Sequence, residues 1–179
     1  GDGVVLLLIN GKEETETMGG MLDENGLATT EAVERKVWVY DGVRLETGGM
    51  TSEAALTAAA QKMVLAEIEK LDTSSAVNGF MLNGQRVWLD KATRVGLMNS
   101  TSIAKAMGQP TTTLWLGDVK LVVECDKAIQ LLSALEMYAL ECFNVTAVHK
   151  KAVSEMSTVE EVLAYDYTAG YPKILEMRI

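Results

Sequence analysis

From about Asp126 to about Ser154 apolar residues recur every three or four positions. Ala128, Leu131, Leu132, Leu135, Tyr138, Ala139, Cys142, Val145 and Val153 share one side of a 3.6-residue helix, and Glu136, Glu141, Lys150 and Lys151 fall off that stripe. A helix this long must lay its stripe against something equally long. The rest of the chain is therefore read for surfaces that can cover it.

The clearest of these is Phe80-Met-Leu-Asn83-Gly84-Gln-Arg-Val-Trp88-Leu89. Asn-Gly between two apolar runs predicts a tight hairpin, because both central residues of the favoured turn need positive φ. Asp90 then reads as an N-cap, with Gly108 and Pro110 closing the helix that follows. A second hairpin is expected from Thr113–Leu116 and Val119–Val123 around Gly117-Asp118, just before the long helix. Upstream, Val37–Tyr40 and Val43–Leu45 around Asp41-Gly42 read as another, followed by a helix from Thr51-Ser52-Glu53 to about Leu71. Val4–Ile9, turning at Asn10-Gly11 into a polar return strand Lys12–Met18, reads as a fourth. Residues 19–34 read as loop or weak helix. Ser157-Thr158-Val159-Glu160 reads as a capping box opening a short helix that ends near Tyr165, with an extended tail from Lys173 to Ile179. The expected fold is α+β: antiparallel β-hairpins alternating with helices, with one long C-terminal helix as the spine.

Charge divides the chain unevenly. Residues 1–72 hold fourteen acids and six bases, and residues 73–179 hold eleven acids and ten bases. The break at Asp72-Thr73-Ser74-Ser75 is the expected boundary between an acidic front part, residues 1–72, and a balanced domain, residues 73–179. With Asp+Glu 25 against Lys+Arg 16 overall, binding to a phosphate backbone is disfavoured, and no nucleic-acid partner is expected. The early apolar run Val4–Ile9 is too short to span a bilayer, so no membrane partner is expected either. Gly1 in place of an initiating Met reads as a cleavage scar, which leaves the native N-terminus out of view.

Reactive clusters are sparse. His149 is the single histidine, so a multi-histidine metal site is excluded, and it falls on the stripe of the long helix as a half-buried structural side chain. Cys142 and His149 lie two turns apart on one helical face, roughly 10 Å along the axis, too far for a nucleophile–base dyad. Cys125 and Cys142 are roughly 25 Å apart on the same helix and are expected as reduced, buried thiols. Gly11-Lys12 is followed by Glu13 rather than a hydroxyl, so it is no phosphate loop. Asp23-Glu-Asn25-Gly26 would need calcium ligands at Met21 and Ala32, which have none to offer. Asp90 and Arg94, four apart, read as a cap with an ion pair. Trp38, Trp88 and Trp115 read as core anchors or cross-strand partners. Tyr165, Tyr167 and Tyr171 are the candidate partner-contact residues; the other expectation for them is folding back onto the long helix. No catalytic residue, cofactor or metal ligand is expected.

Several of these residues carry a resemblance. Phe80, Gly84, Val87-Trp88-Leu89-Asp90 and Arg94, then Leu114-Trp115, then Leu135, Tyr138-Ala139, Cys142, Asn144-Val-Thr146 and His149, and finally Glu160-Glu161, Tyr165-Asp166-Tyr167-Thr168 and Gly170-Tyr171-Pro172 resemble a phage and prophage domain family of unknown function. The resemblance covers roughly residues 73–176, and members like this one are typical of prophages in gut Bacteroidales. The family is often found in or beside tail-fibre and other tail-associated proteins, and it has no established catalytic residues. The resemblance implies a non-enzymatic structural or interaction module of a tail or tail-fibre apparatus. Its partners would be other tail or fibre proteins or copies of itself. It would work in the bacterial cytoplasm during assembly and, if it stays in the particle, in the virion. A tail-fibre assembly chaperone and a glycan-binding tip are the alternatives, and a hydrolase built on scattered carboxylates is the enzymatic one.

Overall fold

A computed structural model describes residues 3–20, 23–27 and 33–179. The fold is α+β, with antiparallel hairpins and one long helix. The chain divides into two compact units, Gly1–Ala59 and Ala60–Ile179. The division falls inside helix α1 (Glu53–Asp72), and the composition break at Asp72–Ser75 lies within the second unit.

The first unit is built on one long ribbon. Strand β1 (Val4–Met18) pairs antiparallel with β2 (Val33–Glu46) over its whole length. This corrects the two separate hairpins expected here. Asn10-Gly11 is a bulge at which the register shifts between Ile9 and Lys12, and Asp41-Gly42 lies inside a continuous strand. The physical reason is visible in the backbone. Asn10 takes positive φ (53°) but Gly11 does not, so the two-residue turn never closes. Asn10 instead donates its side-chain amide to Asp41 across the ribbon at 3.0 Å. The bulge sets two residues against Tyr40, whose ring lies over Gly11; a Cβ there would sit 2.5 Å from the ring. Of residues 19–34, Val33 and Glu34 belong to β2 and Asp23 anchors a turn by accepting from Asn25 and Leu27 backbone N–H. Residues 21–22 and 28–32 lie outside the described residues.

In the second unit the hairpin β3 (Phe80–Leu82) and β4 (Gln85–Val87) turns at Asn83 (φ 49°) and Gly84 (φ 83°), both positive as the turn requires. The tail adds to it. Short strand β7 (Glu176–Met177) pairs parallel with β3, so the extended tail becomes the third strand in the order β4-β3-β7. The second hairpin, β5 (Thr111–Leu116) with β6 (Val119–Glu124), turns at Gly117 (φ 63°). Ser74 caps the short helix α2 (Ser75–Asn78), and Asp90 caps α3 (Lys91–Ala106) by accepting from Thr93 N–H at 2.8 Å. The last helix, α5 (Val159–Ala164), has its capping box one residue later than expected. Thr158 accepts from Glu161 N–H, and Glu161 reaches back to Ser157 N–H, both at 3.2 Å.

Helix α4 (Cys125–Glu155) organises all of this with 31 residues. Its buried stripe is Ala128, Leu132, Leu135, Tyr138, Cys142, Thr146, His149 and Val153. The first half meets both hairpins: Phe80, Leu82 and Val87 from one, Leu114, Leu116 and Val123 from the other, in one core cluster with Ala128, Leu132 and Leu135. The second half meets Val77 of α2, Leu71 of α1 and Tyr171 and Leu175 of the tail. At its C-terminus one side chain covers the last carbonyls. The two amide protons of Gln61 of α1 are shared among the Val153, Ser154 and Met156 oxygens at 2.9–3.3 Å, and Val153 also accepts from Met156 N–H. Since Leu132 is 1% exposed and lies where both hairpins meet the helix, Leu132→Ala is expected to cost about 3 kcal/mol, read as a shifted urea midpoint at unchanged slope.

Candidate functional site

Three groups of side chains are candidates: the C-terminal tyrosines, a cleft beside α4, and the exposed aromatics.

The tyrosines turn toward α4. The Tyr165 hydroxyl lies 2.7 Å from His149 Nδ1, and His149 Nε2 lies 2.8 Å from the Ala169 carbonyl. A carbonyl can only accept, so Nε2 carries a proton and donates to Ala169, and Nδ1 is the nitrogen that meets the Tyr165 hydroxyl. Tyr171 stands 2.8 Å from Thr146 Oγ1, which donates its own proton to Asp72 Oδ1 at 2.8 Å, so Tyr171 is the donor to Thr146. Burial pushes the Tyr171 hydroxyl above its usual pKa, which keeps it protonated as a donor. Tyr165, Tyr167 and Tyr171 are all half-buried. The loop 165–171 is thus sewn to the second half of α4 through two buried polar residues, Thr146 and His149.

The same geometry governs the thiols. Cys142 is fully buried, and burial raises its pKa above the ordinary thiol value, so it stays a thiol at neutral pH. Its Sγ faces the Val77 carbonyl at 3.5 Å, alongside the Tyr138 hydroxyl, which donates to the same oxygen at 3.1 Å. Cys125 faces the Gln109 carbonyl at 3.2 Å. Both His149 nitrogens are engaged away from Cys142, so the two do not form a pair. Among the described residues no three His, Cys, Asp or Glu side chains converge as a metal site.

A cleft of about 620 Å³ opens between α4, the start of α3 and the end of α1. Trp88, Leu140 and Phe143 give it apolar walls, and Asp72, Asn78 and Asp90 give it polar ones. On its floor Arg94, 8% exposed, donates to Glu136 and to the Leu89 carbonyl, both at 2.8 Å. This corrects the expected Asp90–Arg94 ion pair. Asp90 spends its carboxylate on Thr93, whose backbone and side-chain donors hold its pKa below the usual range, and Arg94 instead crosses to α4. Glu136 was legible only as a residue off the apolar stripe; its partner lies 42 positions away.

Of the two roles expected of the tryptophans, the structure sets aside the core anchor and keeps the cross-strand partner at Trp115, which faces Lys120. None is a core anchor: Trp38 is 62%, Trp88 40% and Trp115 56% exposed. Trp38 and Trp115 sit on two-stranded sheets, where alternate positions point outward, and Trp88 follows the end of β4 in the wall of the cleft. Trp115 is covered by Lys120 at 5.9 Å from the ring centroid. Trp38 stacks on Tyr40, centroids 6.4 Å apart, on the β1–β2 ribbon. Period-two alternation and the bulge put Leu6, Leu8, Tyr40 and Trp38 on one face of that ribbon, and all four are exposed.

The thiol geometry has a direct test. A disulfide-exchange reagent is expected to find no fast-reacting thiol in the folded protein and two after unfolding; rapid labelling of Cys142 in the native state would contradict the packing described.

The second unit of the chain carries its likeness to known sequences. No curated protein and no solved structure matches it. A family model described as a domain of unknown function (DUF4376) matches residues 59–169, beginning where the two compact units divide and running through all of α4 to the His149–Ala169 contact. The match takes in well over half of the chain, and the protein belongs to the DUF4376 family.

Proposed function

We propose that this protein is a non-enzymatic interaction module of a phage or prophage tail apparatus, attaching to other tail or fibre proteins through its β1–β2 ribbon. The ribbon is the observation that carries the reading. A two-stranded sheet is marginal in water, and this one bares Leu6, Leu8, Trp38 and Tyr40 on a single face. A partner that covers that face, or adds a strand beside Val4–Ile9, supplies what the ribbon lacks. The far half is protected differently: Arg35–Glu16 and Lys36–Glu13 pairs cross it at 3.3 and 2.9 Å, as charges do where strand edges must not aggregate. The tail context comes from the resemblance of residues 73–176. The non-enzymatic reading draws support from His149 and Cys142, whose polar atoms are spent on folding contacts.

The cleft favours a second reading, a glycan-binding tip. Trp88 and Phe143 could stack on a sugar face while Asp90 and Asn78 meet its hydroxyls. Oligosaccharides that quench tryptophan fluorescence in the intact protein but not in Trp88→Phe would favour it over the ribbon reading. A tail-fibre assembly chaperone would bind the same partners yet be missing from purified particles by mass spectrometry.

For the ribbon reading, Leu6→Glu with Leu8→Glu is expected to leave the melting temperature within about 2 °C and to cut capture of tail proteins at least tenfold. Undiminished capture by a folded double variant would refute it.

A further inference from the structure

Helix α4 has a second face that the core does not use. Outside its buried stripe, Met137, Leu140, Phe143 and Val148 are 59%, 48%, 58% and 66% exposed, Leu140 and Phe143 also walling the cleft beside α3. Met137 and Leu140 lie on a seam continued by Asn144 and Ala147, which advances by the three and four residues at which one helix packs along another, and Phe143 and Val148 flank that seam. The helix is long and apolar enough to cross a bilayer by length and composition. Yet its exposed face is also charged at intervals by Lys127, Glu141 and Lys151, which suits a protein surface better than lipid.

We infer that this face pairs with the same face of a second copy, antiparallel across a two-fold axis near residues 141–143. The charges select the occupant and the direction. The flanks of the seam carry Lys127, Glu136 and Glu141 up to its midpoint and Lys150 and Glu155 beyond it. An antiparallel partner lays Glu136 against Lys150 of the other copy, and Lys127 against Glu155. A parallel partner would set Glu136 against Glu141 and match only Lys150 with Glu155. All four side chains of the antiparallel pairs keep a third or more of their surface open, so their pairing within the chain leaves room for this. Two-fold pairing is isologous, so each apolar contact is made twice. The stretch from Lys127 to Glu155 spans about 42 Å by helical rise, long enough for an interface of ordinary size, about 800 Å² per partner. The ribbon is not needed for it, so this inference does not rest on the reading above.

Sedimentation equilibrium of the full chain from 1 to about 100 μM tests it. A reversible dimer is expected. Met137→Glu with Val148→Glu should weaken it at least tenfold while the circular-dichroism melt is unchanged, since both side chains are exposed. Lys127→Glu should weaken it severalfold, and adding Glu155→Lys should restore it. Direction is read by mild oxidation: Glu141→Cys lies near the axis and should link to its own copy, whereas Lys127→Cys, far from the axis, should not. A monomer throughout, a dimer untouched by the α4 variants but lost in the Leu6→Glu, Leu8→Glu chain, or flotation of the monomer with phosphatidylglycerol vesicles would each overturn the inference.

Discussion

Burial of one face of α4 is the constraint on which the second unit depends. Neither three-residue hairpin strand nor two-residue β7 could hold a sheet in water. Each becomes stable by laying apolar residues on Ala128, Leu132 and Leu135. At about 1.5–3 kcal/mol for each fully buried large side chain, Phe80, Leu82, Leu114, Leu116, Leu132 and Leu135 together form the dominant favourable contribution, against which the chain entropy of the strands is set. The helix returns the favour unevenly: its first half is covered by strands, its second by α2, the end of α1, a loop and the tail.

That second half explains why the chemically capable residues are quiet. A loop cannot bring a continuous apolar surface to a helix, so polar contacts fill the gap. Thr146 and His149 occupy stripe positions that an all-apolar helix would give to Leu or Val, and each has its hydrogen-bonding groups met by Asp72, Tyr165, Tyr171 or the Ala169 carbonyl. Buried polar groups that are fully met are specific rather than reactive. They choose one register for residues 165–171 against α4. Gln61, capping the last carbonyls of α4 from α1, extends the same device to the helix end.

How much was legible depended on range. The dipeptide Asn-Gly occurs at residues 10–11 and 83–84, and local reasoning treats the two alike. Both asparagines take positive φ, but Gly84 follows and Gly11 does not. The difference is made by β2, which offers residues 10–11 a continuous partner strand of fourteen residues and makes a bulge better than a turn. Trp38, Trp88 and Trp115 failed as core anchors for a related reason: alternation says which residues share a face, not which face is covered. Arg94 found Glu136 rather than the nearer Asp90 because Asp90 was already committed to its cap, and only the packing of α3 on α4 brings Glu136 within reach.

From its residues alone the chain determined its α+β class, the span and buried side of α4, two of its turns, the cap at Asp90, and the absence of a histidine cluster. These follow from periodicity, positive φ and side-chain chemistry within a few residues of one another. Tertiary structure alone decided that two expected hairpins are one ribbon, that the tail is a parallel strand on β3, that Arg94 crosses to α4, and that the aromatic and apolar residues of the ribbon and of the outer α4 face stay open. Each of those depends on which segments, dozens of residues apart, cover one another, and burial is a property of the pair rather than of either segment.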